Sequence, residues 1–307
     1  MPSATTISPA NSPSVTVLDT AEKRRFRGLL HGFIGMAIFS ASLPATRLAV
    51  QDLDPLFVTV GRAVIAGLIG GLCLLATRQR LPRASEWARL GIVAGGVVVG
   101  FPLLTAYALR SVPAAHTLVF IGILPLMTSL FGVLRAGEHP RPLFWPFALL
   151  GSLAVALYAW IHAGQGFAAA DLLMLGAVAV CGLGYAEGSR LARSLGAWQV
   201  ICWALVLALP VMLALLPPTW PADLSRVGAA AWGGFAYVSL FSMLIGFFFW
   251  YRGLSLGGIA QVSQLQLIQP FLGLGLAALL LGERVTPDIA VVALVVVACV
   301  AAARRYG

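Results

Sequence analysis

Apolar residues run along this chain in blocks of about twenty, separated by short joints that hold most of the charge. A helix rises about 1.5 Å per residue, so such a block matches the roughly 30 Å hydrocarbon core of a bilayer. The pattern predicts spans near 29–50, 55–77, 88–109, 113–135, 142–162, 171–191, 196–216, 229–251, 256–281 and 287–303. The expected fold class is an all-α membrane protein with ten transmembrane helices. Residues 1–28 are expected to be a disordered cytoplasmic tail, because their start is rich in Ser, Thr and Pro. The first apolar block is longer than the core of a secretory signal and is expected to be retained as a span.

Composition agrees. Of 307 residues, 60% are hydrophobic and only 10% are charged, with a mean hydropathy of +0.92. A soluble globule keeps roughly 25% charged residues. The net charge of +9 does not point to nucleic acid, because its placement follows the membrane pattern. With a cytoplasmic N-terminus, the inner ends carry 15 of the 20 basic residues, including Arg25, Arg80, Arg135, Arg190 and Arg252. Arg110, Arg226 and Arg284 alone fall at outer ends, and Arg47 and Arg62 within spans. This is the positive-inside asymmetry of an inner-membrane protein with both termini in the cytoplasm. Cys73, Cys181, Cys202 and Cys299 are isolated within spans and read as packing residues, so neither a metal nor a cofactor is expected.

The chain repeats itself. Pro125, Gly137, Glu138 and Pro142 recur as Pro270, Gly282, Glu283 and Pro287, all at an offset of 145 residues. Thr46-Arg47-Leu48-Ala49 similarly matches Ser189-Arg190-Leu191-Ala192 at an offset of 143. Two five-helix repeats, 29–162 and 171–305, follow. Five is odd, so the second copy enters the membrane inverted, an arrangement used by carriers that rock about a midplane site. The rival class, a non-transporting membrane protein such as a lipid-modifying enzyme or scramblase-like factor, would show a cluster of acids or histidines facing one leaflet, and none is evident. No phosphate-binding loop or hydrolytic motif occurs, so the protein is not expected to be an enzyme.

These residues resemble the drug/metabolite transporter superfamily with two EamA-type domains. The resemblance rests on Phe39-Ser-Ala-Ser-Leu-Pro-Ala-Thr-Arg47, on Gly61-Arg62-Ala-Val-Ile-Ala66, on Tyr185 to Arg190, and on the Pro…Gly-Glu stretches Pro125–Glu138 and Pro270–Glu283. It implies a ten-helix alternating-access carrier, often an exporter of amino acids or related metabolites, and it sets Ser40 and Ser42 near the cavity. The expected partners are a small-molecule substrate and the lipid bilayer. A monomer is compatible with this organisation.

Several polar residues inside spans are candidates for substrate contact. A charged group in the membrane is costly, so Arg62 is either a hydrogen-bonding hub or an anchor for a substrate carboxylate. Arg47 lies within reach of the outer surface and of Asp52 and Asp54. Glu187 either pairs with Arg190, three residues on along the same helix face, or couples transport to protons. Tyr107, Tyr185, Tyr237 and Trp250 either line a cavity or belong to interfacial belts. Pro44, Pro125 and Pro270 should kink their helices, freeing the carbonyls of Ser40, Ile121 and Gln266. Gln261, Gln264, Gln266 and Gln269 crowd one apolar span. At about 100° per residue, Gln261, Gln264 and Gln269 share one arc, expected to border either the cavity or a neighbouring helix. The glycine pairs Gly28/Gly32, Gly67/Gly71, Gly91/Gly95 and Gly96/Gly100 are expected to permit close helix contact.

Overall fold

Within lipid no water can satisfy a free amide or carbonyl, so a chain this apolar must close its backbone hydrogen bonds inside helices. The computed structural model describes residues 13–162 and 169–282, with positions 291, 295, 298, 299 and 302 beyond them. Among the described residues all regular structure is helical. The first segment is α1 (Pro13–Ser40) with α2 (Ser42–Asp52), and the second is α3 (Pro55–Ala76). The third joins α4 (Ala84–Val93), a π-helical stretch (Ala94–Gly100) and α5 (Phe101–Ser111). The fourth joins α6 (Ala114–Ile121) and α7 (Leu124–Ala136), and the fifth is α8 (Phe144–His162). The sixth and seventh are α9 (Ala169–Ala192) and α10 (Ala197–Thr219). The eighth joins α11 (Ala229–Tyr237), a second π-helical stretch (Val238–Ile245) and α12 (Gly246–Gly257). The ninth joins α13 (Ile259–Ser263), a 3-10 turn (Gln264–Leu267) and α14 (Gln269–Leu281).

Seven of these runs are long and apolar enough to cross a bilayer, and Leu124–Ala136 and Phe144–Ala154 are shorter apolar helices. The span expected near 287–303, like Glu283, lies largely outside the described residues. Helix α1 begins at Pro13, within the stretch expected as a tail, and its residues 22–27 are exposed.

The repeat is legible in the local geometry. Gly137 and Gly282, 145 residues apart, both end their helices with φ of +67°, a left-handed cap that glycine adopts without strain. The two π-helical stretches stand 144 to 145 residues apart. Both proline kinks fall where expected. The backbone N–H of Ile123 donates to the Phe120 carbonyl (3.0 Å) just before Pro125, and that of Ile268 to the Leu265 carbonyl (3.1 Å) just before Pro270. These tight i→i+3 turns absorb the bond that each proline removes. The first segment likewise breaks at Ala41, three residues before Pro44.

Side-chain contacts fix the direction of each segment. At one end the Asp52 carboxylate accepts from the Gly228 amide (2.9 Å), and His116 meets Asp171 at 2.6 Å. At the other end Arg80 makes a two-pronged contact with Glu86 (3.0 Å for each bond), and the Ser194 hydroxyl donates to the same carboxylate (3.0 Å). The first segment therefore ends where the sixth begins, and the halves are inverted. The second end also carries Arg25, Arg135, Arg190 and Arg252 and is called the basic end below.

Packing follows the same pseudo-two-fold. The first segment lies along the eighth, and the third along the sixth. The second pairs with the seventh and the fourth with the ninth, while the fourth–sixth contact matches the ninth–first contact. Close approach between the first and eighth segments depends on glycine: a Cβ on Gly253 would stand 2.6 Å from the Gly32 nitrogen. Gly91 and Gly95, expected as a packing pair, have open space where a Cβ would stand, because among the described residues that face of the third segment meets no neighbouring helix.

Glu187 and Arg47 find partners other than the acids and bases nearest them in sequence. Glu187, 0% exposed, does not pair with Arg190. Its Oε1 accepts from Arg135 Nε (2.6 Å) across the fourth–sixth interface, while Arg190 donates to the Arg135 carbonyl. Arg47 reaches neither Asp52 nor Asp54. It donates to the Leu109 carbonyl at the end of α5, where helix carbonyls lack partners. Asp54 instead caps α3, accepting from the Leu56 amide at 2.8 Å, and stands 3.6 Å from Arg110.

Two stability predictions follow from these contacts. Arg135→Ala strands the buried Glu187 carboxylate and should cost about 3 kcal/mol. Combining it with Glu187→Gln should recover most of that loss in detergent-solubilised thermal unfolding; no recovery would show that the pair is not coupled. Gly253→Ala should cost about 1–3 kcal/mol through overpacking, whereas Gly91→Ala should stay within about 0.5 kcal/mol of the parent.

Candidate functional site: a closed cavity between the halves

A small cavity lies where the helix breaks and both π-helical stretches converge. Phe39, Ser42, Arg62, Phe101 and Leu124 line it from the first half, and Tyr185, Ser242, Phe247 and Gln269 from the second. It leaves about 20 Å³ for the centre of a water molecule, room for roughly one water. The halves are therefore closed around it. A larger recess, with about 430 Å³ of room, opens at the basic end beside Arg25, Glu138, His139 and Gln261.

Arg62 projects from α3 and is 5% exposed. Its Nη2 donates to the Ser242 hydroxyl (3.1 Å), which also accepts from Ser42 (2.8 Å), and its Nε has no partner. A hydroxyl that accepts twice has its own proton left to donate. The unspent groups here, Arg62 Nε–H and Ser242 O–H, are both donors. Among the described residues no Asp or Glu lines the cavity. Such a pole suits an anionic oxygen pair, because charge-assisted two-pronged bonds to guanidinium are among the stronger hydrogen bonds in proteins.

The opposite wall is aromatic. The Phe39 ring lies 5.0 Å from Phe247 and 6.4 Å from Tyr185, and Trp250 stands behind them, 5.4 Å from Tyr185. Trp250 is fully buried and its indole N–H has no partner. Gln269 closes the cavity on the ninth segment. Its amide nitrogen points to the Phe39 carbonyl at 3.4 Å, and its oxygen is buried without a partner. Ser42, Arg62, Tyr185 and Gln269 are thus brought together at one place, with Trp250 one layer back.

Other candidates stand elsewhere. Ser40 turns back to its own helix, donating to the Met36 carbonyl (2.9 Å). Tyr107 is 40% exposed, because the face of α5 carrying Thr105, Ala106 and Leu109 takes the bundle side. Tyr237 donates to the Ile38 carbonyl (2.7 Å) beside the break in the first segment and stacks on Phe241. Glu187 faces Arg135 rather than the cavity. Gln261 lines the basic recess and accepts from Arg25. Gln264 is buried with both amide atoms unpartnered and lines neither space.

Gln266, which the ideal 100° arc passes over, was missed. It is 0% exposed and stands near the Tyr185 hydroxyl, lines neither space, and neither atom of its amide makes a well-formed hydrogen bond among the described residues. The 3-10 turn advances side chains by about 120° per residue rather than 100°. Its proximity to Pro270 was the available signal, since the proline frees that residue's own carbonyl.

Comparison with known proteins agrees with this architecture. Residues 26–160 and 168–304 each match the EamA-like transporter family. The chain is 58% identical over 279 residues to the uncharacterized transporter YdeK of Bacillus subtilis (strain 168), covering 91% of this chain and 97% of that protein. A crystal structure of a protein with 20% sequence identity covers 91% of this chain and 96% of its own, with a TM-score of 0.72, so the fold is shared. Two tandem matches, one per repeat and together spanning nearly the whole length, establish that the chain belongs to the EamA-like transporter family.

Proposed function

We propose that this transporter carries small carboxylate-bearing metabolites, amino acids among them, outward across a bacterial inner membrane, with the basic end facing the cytoplasm. The observation that carries the reading is the donor-only pole of Arg62 and Ser242 set against an aromatic wall in a cavity that both halves share. A carboxylate satisfies the guanidinium. The ammonium of an amino acid finds the buried Gln269 oxygen and the faces of Phe39 and Tyr185, which attract cations. The apolar remainder lies against Phe247 and Leu43. Because the closed cavity has room for about one water, cargo requires the inverted halves to part, first on one side and then on the other.

Counterflow in proteoliposomes with L-phenylalanine, L-leucine and the decarboxylated amine phenylethylamine tests the cargo class. The amino acids should be carried and the amine should not. Arg62→Gln should lower amino-acid transport by about tenfold or more, the cost of a lost charge-assisted bond, while protein still accumulates in the membrane. Arg62→Lys, which keeps charge without the planar fork, should fall between. Equal transport of phenylethylamine would sink the carboxylate reading.

Orientation is tested separately. His139→Cys and Ser225→Cys lie in exposed joints at opposite ends. An impermeant thiol reagent should label Ser225→Cys in intact spheroplasts and His139→Cys only in opened cells; the reverse pattern would invert the topology.

A further inference from the structure

The basic end is closed by two contacts on the start of the ninth segment. Glu138 accepts from the backbone amides of Ile259 (2.7 Å) and Ala260 (2.8 Å), and Arg25 Nε donates to Gln261 Oε1. Together they tie the first, fourth and ninth segments at the rim of the basic recess. Helix α13 runs only from Ile259 to Ser263 before the 3-10 turn, so a short rigid piece sits between the rim and a weak point in the helix.

Polar side chains recur along the ninth segment between rim and cavity. Gln261 lines the recess, Ser263 meets the Ser129 hydroxyl at 3.1 Å, Gln266 stands near Tyr185, and Gln269 lines the closed cavity. The equivalent residues of the fourth segment, at the 145-residue offset, are His116, Leu118, Ile121 and Leu124. Beyond His116 that route is apolar, so the polar file leads toward the basic end only. Gln266, like Gln264 two residues before it, is fully buried with neither amide atom hydrogen-bonded among the described residues. A buried amide with both atoms unspent is disfavoured in any closed structure, and the imbalance is relieved if another conformation wets it.

We infer that Gln266 contacts the cargo as it passes between the closed cavity and the basic-end recess. The route opens when Glu138 and Arg25 release the start of the ninth segment and α13 tilts about its 3-10 turn. This rests on the carrier reading but requires no particular cargo.

Thiol reactivity in lipid nanodiscs tests it with a small charged methanethiosulfonate as probe. Gln266→Cys and the isosteric Ser263→Cys should each react at least tenfold faster than Leu267→Cys, which is equally buried but packs against Gly151 of the fifth segment. The wild type, whose cysteines are buried or half-buried, sets the background. Adding Glu138→Ala should raise the first two rates at least fivefold and leave Leu267→Cys unchanged. His116→Ala, which breaks the contact with Asp171 at the other end, should leave all three within twofold. Equal rates at positions 266, 263 and 267, or acceleration by His116→Ala instead of Glu138→Ala, would overturn the route. Ser263→Cys keeps the test decisive where Gln266→Cys fails to accumulate. Because no cargo is present, these rates stand or fall apart from the Arg62 experiment.

Discussion

A carbonyl released from its helix inside a bilayer has only protein or enclosed water to turn to. This chain releases such groups in the first, fourth and ninth segments, through Pro44, Pro125 and Pro270, and the fold is arranged to keep the breaks away from lipid. Gln269 reaches the Phe39 carbonyl and Tyr237 the Ile38 carbonyl, both beside the break at Ala41. The π-helical stretches of the third and eighth segments sit at the same depth, so the irregular backbone of both halves collects around one cavity. On the proposed reading, the substrate site and the mechanical weak points are the same place.

Duplication supplied this skeleton twice, but the side chains have diverged. The pair of Arg135 with the buried Glu187 ties the fourth segment to the sixth, and its counterparts by offset, Leu280 and Pro44, hold no charge. Equivalent rims are held by Arg25 with Gln261 at one end and by His116 with Asp171 at the other. Backbone symmetry therefore gives two rims of one geometry, each held by its own chemistry.

The repeat, the inversion and the kinks were legible because they rest on spacing and on proline, whose effects are local. Arg62 was legible because charge in an apolar span demands an explanation. What depended on tertiary partners was not. Glu187 was matched to its helical neighbour Arg190, and only the packing of the fourth segment against the sixth reveals Arg135. Tyr107 carries no mark that separates a lipid-facing ring from a cavity-facing one. Among the glutamines, ideal helical geometry groups Gln264 with Gln261 and Gln269, and the 3-10 turn beside Pro270 departs from that geometry, so that of the four Gln269 reaches the cavity wall.

Arg62 has one more consequence. The matching stretch of the seventh segment, Ala204 to Leu207, is apolar, so a two-fold scaffold encloses a site with a single charged pole. On the proposed reading, cargo cannot dock in two equivalent poses. Its carboxylate stays with the second segment while the helices around it exchange which side is open. The molecule keeps its heading as the protein reverses about it, entering by one end and leaving by the other, so the two half-journeys meet different friction: polar contacts along the ninth segment, bare hydrocarbon along the fourth.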